Sequence, residues 1–286
     1  MTGTTGFIGH NFLKNALLKN FKIIDILRSR NTRNTKIKKI KKNYSNNYRT
    51  IYFSNYRQIQ KKLKKINYDY FINFATLYKS NHKYDDIFGF IDSNILFPTL
   101  LYENIHLKAK KIINFGTMMQ VANGKNYNSK NLYAASKNAF EMIENFYSNR
   151  ASMSKFYNLK FYESFGENDN RPKLIPTILK NHKKNKSTKI ISKKLELNII
   201  HVNDITKAIM ILLNNNIKPG SYCLKSQKNI KIYNLISSIN KKITTKIKIK
   251  YNNNNFNKIK KSNLKKLPNW KPDVNLIKKI ENEFLK

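Results

Sequence analysis

The sequence predicts an α/β fold: a doubly wound parallel sheet with a smaller C-terminal lobe and a first strand that is missing or truncated. Three observations carry this. A glycine-spaced loop, Thr2-Gly3-Thr4-Thr5-Gly6-Phe7-Ile8-Gly9, opens the amphipathic run from His10 to Lys19. The apolar stretch 23–27 follows, as a βαβ unit demands. Beyond it, short apolar runs alternate with helical patterns, which implies parallel strands joined by right-handed crossovers.

Each element follows from its residues. Gly3 permits a tight turn, Gly6 lets backbone N–H groups approach a pyrophosphate, and Gly9 allows close helix–sheet packing. The helix start then offers unpaired N–H groups, with Phe7 and Ile8 placed to hold the phosphates. A glycine-rich turn without a ligand is the plainer reading, and the βαβ context argues against it. Only Met1 and Thr2 precede Gly3, where such a loop needs a hydrophobic strand. A mis-assigned start and a decayed copy both account for this, and the first is favoured.

The basic stretch 31–48 reads as a loop or surface helix, 51–54 as a strand and 57–65 as a helix. Strands are expected at 70–74, 111–115 and 157–161, with a long helix over 88–106 and another running to about Arg150. Residues 1–165 then form the nucleotide domain, with returning segments near 195–215. Residues 166–286 form mainly a substrate-binding lobe.

Composition narrows the classes. One cysteine, Cys223, excludes a disulfide framework and a thiolate metal site, and no metal is expected. No signal peptide and no apolar run of membrane-spanning length is visible, so the cytoplasm is the default. The formal net charge of +40 would suggest nucleic acid. The basic residues are spread along the whole chain, however, and Asn is about one residue in seven, well above ordinary usage. Lys, Asn, Ile and Tyr rising together indicate biased coding, and no specific nucleic-acid partner is expected. A polyanion-binding protein stays as an alternative, expected to bind RNA or DNA in a salt-sensitive way.

The chemistry centres on Asn131-Leu132-Tyr133-Ala134-Ala135-Ser136-Lys137. Tyr133 and Lys137 stand one helical turn apart and can act on one ligand. A phenol with an ordinary pKa of about 10 is a poor acid or base, and a nearby cation would bring that value down. The pair can then protonate a carbonyl under reduction or deprotonate an alcohol under oxidation. Tyr-x-x-x-Lys alone is weak in a chain so rich in both residues, and its surroundings give it weight.

With these elements in place the chain resembles the extended short-chain dehydrogenase/reductase family, also described as NAD-dependent epimerases and dehydratases, with its Rossmann-like fold. The resemblance runs through the glycine loop, the strand-end segment closing on Ala75, Asn94 in Asp92-Ser93-Asn94, Thr117, Tyr133 and Lys137. It continues in Ile200-His201-Val202-Asn203-Asp204 and Asn269-Trp270-Lys271-Pro272. The segments Asn114–Thr117 and Phe165–Arg171 are most similar to the CDP-abequose and CDP-paratose synthase branch.

The resemblance implies a reduction of a nucleotide-linked 4-keto-6-deoxy sugar, with Thr117, Tyr133 and Lys137 catalytic. Gly3, Gly6, Phe7, Ile8, Gly9, Arg28, Ala75, Asn94, Tyr133 and Lys137 would bind cofactor, and Thr117, Arg171 and Lys173 substrate. A dehydratase would carry an Asp-Glu pair where Met118 and Met119 stand. A nucleotide-sugar 4-epimerase using the same triad is the alternative, and an inactive relative that binds cofactor weakly is a second. Arg28 and Arg30 at the second strand's end favour NADP, with NADPH preferred over NADH, because an acid there would select NAD. Asp25 lies inside that strand, facing away. Leu197 and Glu163 depart from the family's usual Arg and Asn, which leaves the nucleotide contacts open. A homodimer is implied by analogy.

Overall fold

Neighbouring residues of the central strands enter opposite cores, which is the signature of a sheet covered on both faces. Ile72, Ile113 and Tyr157 pack in one apolar cluster with Phe12, Ala16 and Ile209. Their chain neighbours Phe71, Ile112 and Phe156 pack in another with Leu63, Leu101 and Phe140. Successive strand side chains point to opposite faces, so an apolar run such as Phe71-Ile72 is buried twice over. The computed structural model that shows this describes residues 1–29, 34–124, 128–252 and 263–285. Arg30 lies outside the described residues.

The first half of the chain runs α1 (Phe7–Leu18), β1 (Ile23–Arg28), α2 (Thr35–Asn43), β2 (Tyr48–Phe53), α3 (Tyr56–Lys64) and β3 (Tyr70–Asn73). There follow α4 (Asp86–Ile91), a π-helical turn (Asp92–Leu96), α5 (Phe97–Ile105), β4 (Lys111–Thr117), α6 (Leu132–Ser148) and β5 (Lys155–Phe161). The single helix expected over 88–106 is thus interrupted by the π turn, a feature that a 3.6-residue periodicity does not reveal.

The sheet is parallel, ordered β10-β5-β4-β3 in one part and β1-β2 in the other, with β10 at Gly220–Leu224. Thr2 bridges the two parts, opposite Ile26 on one side and Asn73 on the other. Met1 and Thr2 therefore hold the track of the first strand. The strand order reverses here, where open α/β sheets place their ligands.

The smaller lobe has its own core, in which Phe165, Ile178, Ile199, Leu235 and Ile280 are buried together. It is built from β6 (Glu163–Phe165), α7 (Leu174–Lys183), β7 (Thr188–Ile190), β8 (Glu196–Leu197) and β9 (Ile199–His201). To these are added β11 (Ile230–Lys231), α9 (Ile232–Lys242), β12 (Ile249–Tyr251) and α10 (Leu276–Leu285). The chain returns to the nucleotide half through α8 (Val202–Asn214), whose Ile205, Ile209 and Leu212 lie in the first cluster. No helix among the described residues is long and apolar enough to cross a membrane.

The asparagine excess has a structural use. Asn34, Asn55 and Asn131 cap α2, α3 and α6 through side-chain bonds to backbone N–H groups. Among the described residues, the non-glycine ones with positive φ are Asn20, Asn168, Asn185 and Asn269. Asn is the side chain that best tolerates the left-handed region, so it stands where glycine ordinarily would.

Candidate active site

Thr117 ends β4 and Tyr133 begins α6, so strand register and one helix cap fix both. Asn131 accepts a bond from the Ala134 N–H at 3.0 Å, which starts α6 and sets Tyr133 and Lys137 on its buried face. Thr117 is held at its own N–H by Gln120 Oε1, 2.8 Å away, and its Oγ1 accepts from the Met119 N–H at 3.2 Å. Gln120 in turn donates to Asn138 and Glu141 of α6, at 2.8 Å each. The strand end and the helix are thereby tied together beneath the reactive groups.

These residues meet the glycine loop in one cleft of about 390 Å³. Its walls include Gly3, Gly6, Phe7, Ile8, Gly9, Arg28, Ala75, Thr117, Tyr133, Lys137, Arg171 and Lys173. Asn94 is not among them. It is buried behind the wall, where Oδ1 accepts from Leu77 N and Thr76 Oγ1 and Nδ2 donates to Leu77 O and Ser136 Oγ. Its polar groups pin the loop after β3 to α6, so it positions the wall from behind. Ser93, Thr76, Tyr78 and Phe97 line the cleft in its stead and were not found from sequence.

The loop is shaped for close approach. Gly3 has φ +72°, and a Cβ there would lie 2.4 Å from the backbone carbon of Phe74. A Cβ on Gly9 would lie 2.4 Å from Gly3 O. Glycine at both positions lets the loop, α1 and the end of β3 touch, leaving the N-terminus of α1 directed at the cleft. A dinucleotide's phosphates fit this cradle, which is built of backbone.

The expected effect of Lys137 on Tyr133 is not what the structure shows. Burial raises the Tyr133 pKa, Tyr78 and Glu163 add to the rise, and Thr76 and Arg171 oppose it. Lys137 is itself lowered to about 8 by burial, with Glu144 and Glu141 pulling the other way. Tyr133 therefore stands as a protonated phenol, suited to giving a proton. The Tyr78 ring packs edge-on against it, 4.9 Å between centroids.

Three of the cations expected at ligands already have protein partners. Arg28 Nη2 donates to Asp92 Oδ2 at 2.6 Å and to Tyr56 OH at 3.2 Å. Arg171 bonds Asp169 through Nε at 2.8 Å and Nη2 at 2.6 Å, and its guanidinium lies over the Phe7 ring. Lys173 faces Glu163 at 3.2 Å and sits over the Tyr78 ring. Asp25 does face away: it is fully buried and accepts from Tyr48 OH at 2.6 Å. His201 caps α8, taking the Asn203 N–H and meeting Glu167 at 3.1 Å, a structural role.

Behind Lys137 lies a buried polar ladder that sequence reading missed. Asn73, Asn114 and Asn158 stand in register on β3, β4 and β5. Thr2 donates to Asn73, Asn73 to Asn114, and Asn158 to Glu144, which also accepts from Tyr102 OH at 2.8 Å. Burial lifts the Glu144 carboxyl to about 7. The unfolded chain ionises first as pH rises from about 4.5 toward 7, so this group's contribution to stability is lost across that window. Glu144→Gln should flatten that loss. Unfolding free energies of the two proteins, measured from pH 4.5 to 8, should diverge in the variant's favour by up to ~3 kcal/mol. Parallel profiles would contradict this.

A doubly wound sheet with a glycine loop at its switch point, and Thr117, Tyr133 and Lys137 on the same cleft, define a dinucleotide-binding type of fold. A sequence profile of the NAD dependent epimerase/dehydratase family matches residues 1–224, and the chain belongs to that family. CDP-abequose synthase of Salmonella muenchen is 27% identical over 161 residues, 55% of each chain. The protein of the same name from Yersinia pseudotuberculosis is 25% identical over 128 residues, 44% of each. The chain thus spans about half the length of the curated relatives it matches.

Among solved structures, dTDP-glucose 4,6-dehydratase from Bacillus anthracis in complex with NAD is similar at TM-score 0.80 and 20% identity. The match covers 99% of this chain and 94% of that one. A UDP-glucose-4-epimerase from Stenotrophomonas maltophila with bound NAD is similar at TM-score 0.83 and 12% identity, covering 99% and 96%. At such identities the likeness speaks for the fold alone.

Proposed function

We propose that this protein reduces the C4 keto group of a nucleotide-activated 4-keto-6-deoxy sugar, with NADPH preferred over NADH, in making sugars for a surface polysaccharide. The observation that carries the reading is the convergence of Thr117, Tyr133 and Lys137 with the glycine cradle on one cleft. The likeness to two CDP-abequose synthases supports it. Met118 and Met119 after Thr117 leave the cleft without the acid pair that water elimination would use.

When bound, the dinucleotide supplies the hydride. The backbone around Phe7 and Ile8 holds its phosphates, and Lys137 faces its nicotinamide half. Tyr133 gives its phenolic proton to the oxygen that develops charge at C4, and Thr117 donates a hydrogen bond to the same oxygen. Reprotonation from solvent restores the phenol. Arg171 and Lys173 face the sugar nucleotide's diphosphate from the second lobe.

The NADP preference rests on Arg28. Asp92 and Tyr56 fix its Nη2, which orients the guanidinium at the cleft and leaves Nε and Nη1 for a 2′-phosphate. Arg28→Ala should raise KM for NADPH by about 10-fold or more, the worth of a charge-assisted bond, with little change for NADH. Equal changes for both cofactors would remove the preference. The protein acts in the cytoplasm as a homodimer, paired through the exposed apolar side chains Phe88 and Ile91 of α4 and Met142 and Phe146 of α6.

The test of the reaction is NADPH oxidation with CDP- and dTDP-4-keto-6-deoxyglucose. Stoichiometric oxidation supports the reductase, whereas sugar isomerisation without net oxidation identifies a 4-epimerase.

A further inference from the structure

Asp25 is a carboxyl in a place made for an apolar side chain. On β1 it shares a face with Ile23 and Leu27, which pack in the apolar cluster of Leu13, Leu17 and Ile37. Asp25 is fully buried there. Such burial costs stability unless hydrogen bonds offset the lost hydration. Both of its side-chain bonds fall on one oxygen: Oδ2 accepts from Thr4 Oγ1 and from Tyr48 OH, the latter at 2.6 Å. Oδ1 has no hydrogen-bond partner among the described residues. An apolar residue would serve this core better, so the use of Asp25 lies in what Oδ2 holds. Tyr48 is itself part of the core cluster, whereas Thr4 belongs to the glycine loop.

Thr4 is the first central residue of the turn Gly3-Thr4-Thr5-Gly6, which the Gly6 N–H closes onto Gly3 O at 3.0 Å. Gly3, Thr5 and Gly6 line the cleft. Thr4 is wholly buried instead, its hydroxyl turned down to Asp25. The entry to the turn is tied separately, since Thr2 Oγ1 donates to Asn73 at 2.7 Å and accepts from the Ala75 N–H at 3.3 Å. The loop is therefore clasped from beneath twice, to β3 through Thr2 and to β1 through Thr4. Glycine at positions 3 and 6 gives this backbone its freedom, and the clasps restrict it before a ligand arrives.

We infer that Thr4 and Asp25 are positioning residues for the dinucleotide, their hydrogen bond holding the glycine turn in its phosphate-binding shape. The inference rests on the reading of this cleft as a dinucleotide site. Without the clasp the turn samples shapes in which its N–H groups no longer converge. Apparent affinity then falls with the fraction of molecules that keep the competent shape. Tyr48 reaches the same oxygen from β2, outside the turn, so the two hydroxyls can be tested separately.

The test measures Kd for NADPH and NADH by fluorescence titration without sugar, together with Tm and amide exchange at Gly6. Thr4→Val should raise both Kd values by about tenfold, the usual effect of losing a hydrogen bond to a carboxylate. Exchange at Gly6 should quicken by at least about fivefold. Thr4→Ala should behave likewise, which separates loss of the hydroxyl from any misfit of valine, and Thr4→Ser should restore the parent values. Tyr48→Phe takes a donor from the same carboxyl and should lower Tm as Thr4→Val does, by about 3–6 °C. It should leave both Kd values within about twofold of the parent's. Parent-like Kd in Thr4→Val and Thr4→Ala, or an equal rise in Tyr48→Phe, would overturn the inference and leave the reading of the cleft intact. A parent chain that binds neither dinucleotide would overturn both.

Discussion

Tyr133→Phe is expected to lower kcat for ketosugar reduction by about 10²–10⁴-fold, the usual worth of a placed general acid, with KM for NADPH nearly unchanged. The phenol is buried, and burial raises its pKa, so it holds a proton throughout the physiological range. Phenylalanine keeps the ring and its edge-on contact with Tyr78 and removes only the proton. The fold should change little: Tm should stay within about 2 °C, because Thr76, which bonds the hydroxyl, keeps its bond to Asn94. A variant with near-full turnover would move the proton donor elsewhere. A variant that no longer binds NADPH would show that the hydroxyl serves binding instead.

Gly9→Ala should strike the fold and the cofactor together. The added Cβ would sit 2.4 Å from Gly3 O and 2.9 Å from Gly3 C, both backbone atoms that cannot swing aside. Gly3 in turn is wedged against Phe74 and Ala75, so the strain passes to the end of β3. A destabilisation of about 3 kcal/mol follows from overpacking of this kind, read as a Tm drop on the order of 10 °C. NADPH affinity should fall by at least about 100-fold, because the cradle is backbone and moves as one piece. Gly6→Ala is the control: its Cβ would meet only Gly3 O, at 3.2 Å, and Tm should barely change. If Gly9→Ala melts and binds like the parent, the loop is not the close-packed cradle described.

The division between what the sequence revealed and what it hid follows the range of the interactions. The βαβ opening and the strand–helix alternation rest on local periodicity, and they stand in the structure within a few residues. Tyr133 and Lys137 share a face because one helix fixes their spacing, and Thr117 joins them because β4 ends there. Three other features needed partners distant in sequence. Arg28 is met by Tyr56 and Asp92, residues on two other elements, which no motif joins to it. Asn94, on a π turn that apolar spacing does not register, is held behind the cleft wall by Thr76, Leu77 and Ser136, partners distant in sequence. Tyr133 is raised because burial, set by the whole fold, is the leading cause, and the groups that lower it are Thr76 and Arg171, not Lys137.

One signal was available and unused. Asn73, Asn114 and Asn158 each sit in an otherwise apolar strand, and a buried amide in such a run needs partners. Their common depth in the sheet, beneath Thr117 and beside Glu144, could have been read as one polar ladder.

The central claim is a net hydride transfer to C4 of a ketosugar with a proton from Tyr133. Its most direct measurement is mass spectrometry of the sugar product after incubation of CDP-4-keto-6-deoxyglucose with NADPH dideuterated at the nicotinamide C4. The account predicts one deuterium on sugar C4 per NADPH consumed, and none with Tyr133→Phe over the same interval. A product without deuterium, or an altered sugar with no NADPH consumed, would contradict it.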